Sequence, residues 1–162
     1  MNYGIFNDKS NVLNQYLTFR LNSQLFCIGI ETVREINQMV DIVPIPQTPE
    51  FIIGVMNLRG KIIPVIDLRA KFGLGSLERS KESCVIIIDC EVGLIGIAIE
   101  AVQDVITLSE SQIEIPEALD HNKLNYIKGL GKIESKIFVI IDIVNTLSKA
   151  EFYQIQNLPL EQ

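Results

Sequence analysis

The chain contains one stretch twice. Residues 126–147 (YIKGLGKIESKIFVIIDIVNTL) lie under residues 51–72 (FIIGVMNLRGKIIPVIDLRAKF) without a gap. Ile52 and Ile127, Gly54 and Gly129, Lys61 and Lys136, Ile62 and Ile137, Ile66 and Ile141, and Asp67 and Asp142 coincide, and most other apolar positions match. Upstream, residues 28–33 (IGIETV) lie over residues 97–102 (IAIEAV). The order of elements repeats as well as the residues, which weakens a chance similarity and suggests two similar units.

Each copy reads as a β-hairpin. Residues 52–58 and 61–68 are rich in Ile, Val and Leu, and Arg59-Gly60 is the turn, where glycine supplies a positive φ. The second copy turns near Glu134-Ser135. Residues 1–14 are polar and mixed and read as a loose arm. Residues 15–21 alternate apolar and polar, turn at Asn22-Ser23 and return as a strand over 24–30. Thr32-Val33-Arg34-Glu35 fits a capping box and predicts a one- or two-turn helix from Thr32. Residues 39–43 suggest a short strand, and Pro44, Pro46 and Pro49 then block regular structure.

In the second half, residues 84–89 and 94–99 predict strands, 100–104 a short helix, 105–108 a strand and 109–112 a second capping box. Residues 69–72 and 143–147 read as helical turns; 73–82 and 117–125 read as polar connections. Five short strands per half suggest a mainly β fold of two small β-barrels related by a pseudo-twofold. The approximate lobes are 15–83 and 84–147, with an exchange of strands left open. Residues 148–162 read as a helical tail, capped over 148–151 and turning Phe152 and Ile155 inward.

Composition excludes several functions. A net charge of −6 argues against nucleic acid and against an anionic membrane surface. No apolar run approaches the ~18 residues of a membrane span and no signal peptide opens the sequence, so a cytoplasmic protein is expected. Cys27, Cys84 and Cys90 are odd in number and lack CxxC spacing; they read as small buried hydrophobes. His121 is the sole histidine and lies in the polar segment Asp120-His121-Asn122, which leaves a zinc site or a nucleophile–histidine pair without partners. Residues 54–61 have one residue too many for a P-loop, and Ile62 stands where a magnesium-binding hydroxyl belongs. No cofactor and no metal are therefore expected, and a binding module is favoured over an enzyme.

The most specific stretch is residues 54–73, GVMNLRGKIIPVIDLRAKFG. It resembles the signature of the CheW family, the adaptors of bacterial chemotaxis signalling. The likeness extends to ETVREI (31–36), YIKGLG (126–131) and residues 138–142, and covers about 15–147. It implies two five-stranded SH3-like β-barrels. It also implies a non-catalytic role, bridging the cytoplasmic tips of chemoreceptors to the regulatory domain of the histidine kinase CheA within membrane-associated receptor arrays. A coupling role in a non-flagellar chemosensory pathway fits the same residues.

The resemblance also assigns roles. Arg59 matches the family's functional arginine, and Glu35 its other critical charge. Val33 and Gly54 match positions linked to partner binding, and Asn57 is a possible polar contact at the turn. Each has a plainer reading: Arg59 as a solvated turn residue, Glu35 as the capping partner of Thr32, Val33 as core, Gly54 as close packing repeated at Gly129, and Asn57 as hairpin geometry. Glu35 and Arg59 are expected to lie close enough to pair. The two copies diverge at the tip, Asn57-Leu58-Arg59-Gly60 against Lys132-Ile133-Glu134-Ser135, so Arg59 is what the first copy adds to the shared fold.

Overall fold

The computed structural model describes residues 14–39, 41–90, 93–117, 126–146, 151 and 154. Strands β1 (Gln15–Leu21) and β2 (Gln24–Gly29) form a hairpin through Asn22 and Ser23, both at positive φ (49° and 66°). A 3-10 turn (Ile30–Thr32) leads into β3 (Val33–Gln38). The hairpin β4 (Ile52–Leu58) and β5 (Lys61–Asp67) follows, closed by helix α1 (Leu68–Lys71). Then come β6 (Cys84–Cys90), β7 (Gly93–Ile99) and β8 (Ala101–Thr107). A 3-10 turn, a short β9 (Ile113–Glu114) and the hairpin β10 (Ile127–Ile133) and β11 (Lys136–Ile141) complete the sheets.

The strands form two sheets, a six-stranded one ordered β8-β1-β2-β11-β10-β9 and a five-stranded one ordered β3-β6-β7-β5-β4. The sequence repeat pairs β1 with β6, β2 with β7, β3 with β8, β4 with β10 and β5 with β11. Substituting each strand of the five-stranded sheet by its counterpart yields β8-β1-β2-β11-β10, the larger sheet without β9. The symmetry reaches the registers. Val65 pairs Gly96 in the parallel β5–β7 contact, and their counterparts Ile140 and Cys27 pair in β11–β2. The bulge between Ile52 and Gly54 recurs between Ile127 and Gly129. Each sheet takes strands from both halves of the sequence: β1–β2 join the second-half strands, and β6–β7 join the first-half strands.

The apolar runs follow from this layering. In β6, Ile86 and Ile88 face a core shared by both sheets, while Val85 and Ile87 face a smaller core with Met56, Ile63, Val65 and Ala98. In β2, Phe26 and Ile28 join the shared core, and Cys27 joins a third cluster with Leu108, Phe138 and Ile140. Strands buried on both faces need continuous hydrophobic sequence rather than alternation. Burying each such Ile, Leu or Phe contributes roughly 1.5–3 kcal/mol. All three cysteines are buried. Burial pushes the Cys27 thiol up to about 12 and Cys84 up to about 11, so both stay protonated and unreactive.

Two predicted helices are strands. The chain from Val33 is extended, not helical; Thr32 ends the preceding 3-10 turn, and its hydroxyl donates to the Gly29 carbonyl at 2.7 Å. Val33 and Ile36 are buried against the sheet, and pairing with β6 outweighs a four-residue capping signal. The helix expected over 100–104 is the start of β8, paired with β1. The strand expected over 39–43 reduces to a single bridge between Val43 and Val55, with residue 40 outside the described residues. The second capping box is present: the Ser109 amide donates to Gln112 Oε1 at 2.9 Å over a 3-10 turn, Glu110–Gln112. The N-terminal arm to residue 13, His121 with residues 118–125, and Phe152 and Ile155 of the tail lie outside the described residues. Among the described residues no helix is long and apolar enough to cross a membrane.

Candidate functional site: a clamped arginine at a hairpin tip

β3 and β4 are opposite edges of the five-stranded sheet, yet Glu35 on β3 meets Arg59 at the end of β4. The sheet therefore curls until its edges approach. A bulge between Val33 and Glu35, opposite Ile88 and Ile87, bends β3 at the site. At the tip Arg59 (φ 49°) and Gly60 (φ 86°) are both left-handed, the geometry of a two-residue type I′ hairpin. Asn57 Oδ1 accepts from the Gly60 amide at 2.8 Å and fastens the turn.

The contact is bidentate. Arg59 Nη1 donates to Glu35 Oε1 at 3.0 Å and Nη2 to Oε2 at 2.5 Å. The two ends differ in environment: the Glu35 side chain is 7% exposed and that of Arg59 66%. A nearly buried carboxylate thus anchors a largely exposed guanidinium, which has further N–H donors facing outward. The hydrogen bonds from Arg59 hold the Glu35 carboxyl below its ordinary range; burial opposes this, and Asn37 and the charges of Arg59 and Arg34 reinforce it. Arg34 is itself paired with Asp89 at 2.9 Å.

The sign of the pH effect follows. A depressed carboxylate stabilises the fold above its unfolded pKa, and the contribution disappears as pH falls through the folded value. Wild-type protein is expected to lose stability relative to Glu35→Gln below about pH 4.3, the ordinary glutamate value. Urea unfolding midpoints at pH 7 and pH 3 check this; an unchanged difference between the two proteins would refute it.

The structure gathers three of the five singled-out residues at the surface corner: Glu35, Arg59 and Asn57. The other two lie inside. Val33 is 1% exposed and belongs to the shared core, so it supports the bulge beneath Glu35. Gly54 is buried under residues 43–44, and a Cβ there would overlap the Val43 carbonyl oxygen. That oxygen accepts from Val55 at 2.9 Å, and the Val43 amide donates back at 2.8 Å. Close backbone approach, rather than a turn, is what Gly54 provides. The capping-box role of Glu35 does not occur.

Sequence reasoning did not anticipate a cleft of about 830 Å³ between the sheets. Arg20, Ile36, Asn37, Lys81, Cys84 and Gln103 line it. These residues are far apart in sequence and lack a shared periodicity, so only the exchange of strands assembles the cleft.

The family model described as CheW-like domain matches residues 15–151. The chemotaxis protein CheW of Klebsiella aerogenes is 34% identical over 145 residues, 89% of this chain and 87% of that protein. The chemotaxis protein CheW of Bacillus subtilis is 35% identical over 137 residues, 82% of this chain and 86% of that protein. The crystal structure of the scaffolding protein TtCheW from Thermoanaerobacter tengcongensis superposes with a TM-score of 0.77 at 34% identity, covering 90% of this chain and 96% of that one. With a family match over most of its length and a mainly β, two-sheet structure shared with a CheW scaffold, the chain belongs to the CheW-like domain family.

Proposed function

We propose that this protein is a non-catalytic adaptor that couples the cytoplasmic tips of chemoreceptors to a CheA-type histidine kinase, acting in the cytoplasm at receptor arrays. The observation that carries the reading is the Glu35–Arg59 corner. A guanidinium pre-set by a buried carboxylate offers fixed donors to a partner with little conformational entropy to lose. The Glu35 carboxylate is engaged by Arg59, and the remaining guanidinium donors suit recognition of a partner's acceptors. The relatives' names, chemotaxis protein and scaffolding protein, support the same direction.

Size is compatible with several partners. A standard interface covers about 800 Å² per partner, under a tenth of the 9736 Å² surface. The inter-sheet cleft, which Asn37 joins to the hairpin corner, offers a second surface against which a receptor helix could lie. The test is a pull-down with the purified regulatory domain of a chemotaxis kinase and, separately, a receptor signalling tip. Retention of both is expected; retention of neither would overturn the adaptor reading.

A further inference from the structure

The six-stranded sheet contains the counterpart of the Glu35–Arg59 corner with the cation replaced. The repeat places Asp104 at the position of Glu35 and Glu134 at that of Arg59. The backbone agrees. Thr18, the counterpart of Ile87 opposite Glu35, holds Asp104 in both directions: its hydroxyl donates to the Asp104 carbonyl at 3.0 Å and accepts from the Asp104 amide at 2.9 Å. Glu134 stands at the β10–β11 tip with φ 56°, close to the 49° of Arg59. In the five-stranded sheet the arginine closes the mouth of the curl. In the six-stranded sheet the mouth is an open cavity of about 180 Å³ with Leu25, Ile106, Ile133 and Phe138 in its walls and Asp104, Glu134 and Lys136 among its lining.

Neither carboxylate has an ion-pair partner among the described residues, nor does Lys136. Lys136 does not fill the site. Its counterpart Lys61 stands equally unpaired beside the corner that does hold a guanidinium. The repeat itself supplies the comparison: at the equivalent register a carboxylate on the third strand binds arginine bidentately.

We propose that this mouth binds an arginine side chain of a partner protein, its guanidinium between Asp104 and Glu134 and a neighbouring aliphatic side chain in the apolar cavity. The cavity is well below the several hundred Å³ of a small-molecule pocket, and one side chain fills it. Two carboxylates against one ammonium leave net negative charge, which selects a cation. A guanidinium carries five N–H donors and can bond both carboxylates at once, which favours arginine over lysine. The apolar walls seat the neighbouring aliphatic side chain, while the two carboxylates stand at the exposed rim.

The inference does not depend on the adaptor reading, and its test uses neither kinase nor receptor. Isotope-labelled full-length protein is titrated with the acetylated, amidated tripeptide Leu-Arg-Leu, and with Leu-norleucine-Leu as control, while amide and methyl resonances are followed. Shifts at Asp104, Ile133, Glu134 and Phe138 are expected with the arginine peptide alone. They should weaken about tenfold in apparent affinity in the Asp104→Asn/Glu134→Gln variant, whose changes are at exposed positions; its melting temperature verifies folding. Absence of shifts at several millimolar peptide, or shifts that persist in the double variant, would overturn the proposal. Shifts that arise from raising protein concentration alone, and vanish in Arg59→Ala, would assign the mouth to a second copy of this chain and overturn the partner assignment.

Discussion

Replacing Arg59 with alanine is expected to remove most kinase stimulation in a reconstituted receptor–kinase–adaptor assembly while leaving the protein folded. The side chain is two-thirds exposed, so little packing is lost. Its ion pair, open to solvent at one end, contributes little by itself. Glu35 loses two charged hydrogen bonds in a nearly buried position, which raises the stability cost to about 1–2 kcal/mol. The functional loss is larger. Interface arginines that act as anchors contribute about 2 kcal/mol or more when truncated, equivalent to a loss of at least ~30-fold in coupling. Arg59→Lys separates charge from geometry: it keeps the cation, loses the fork, and should recover only part of the stimulation. Full stimulation by Arg59→Ala at wild-type protein levels would refute the role. Glu35→Lys is the less discriminating variant. It places an ammonium in the interior against Arg59, so it damages folding and recognition together.

The repeat made two related β units legible, because matched Ile, Gly and Asp positions carry the same registers and bulges in both copies. It did not make the strand exchange legible, for a physical reason. β7 and β2 are repeat equivalents, as are β5 and β11. Pairing within a half or between halves therefore satisfies the same apolar pattern, and the connections, not the strands, decide. The missed strands at 33–38 and 101–107 share another cause. A capping motif spans four residues and is worth about 1 kcal/mol, whereas Val33, Ile36 and Ala101 gain burial and a full strand pairing that no local signal reports. Arg59 and Glu35 were legible as a pair through the family signature and the divergence of the two tips. Gly54 was legible as close packing through its recurrence at Gly129. Val33 was not resolved between core and contact, since an apolar residue next to an edge-strand charge suits either side of the sheet.

Arg69→Ala is expected to be the most destabilising of the charge deletions. The sequence marks this residue only as part of the Asp-Leu-Arg exit from the first hairpin, and its counterpart in the second copy, Val144, has no charge. In the structure it is a clamp. Nη1 donates to Glu100 Oε1 at 2.6 Å, Nη2 to Asn22 Oδ1 at 3.1 Å and Nε to the Leu74 carbonyl at 2.7 Å. Glu100 Oε1 also accepts from the Asn22 amide at 3.2 Å. The Arg69 and Glu100 side chains are only 12% and 14% exposed. The clamp thus joins α1 to the β1–β2 turn and to the corner where the chain passes from β7 in one sheet to β8 in the other. Removing Arg69 leaves a nearly buried carboxylate without its counter-charge and releases the side chain of Asn22, a residue held at positive φ. A loss of about 3 kcal/mol is expected. At about 2–4 °C per kcal/mol for a domain of this size, the melting temperature should fall by roughly 6–12 °C. Arg69→Met/Glu100→Met removes both charges and keeps apolar volume, so it should recover much of that loss. A fall of less than about 2 °C in Arg69→Ala would mean that the sheets are held by the shared core alone. A double variant as unstable as the single one would locate the cost in the hydrogen bonds to Asn22 and Leu74 rather than in the stranded charge.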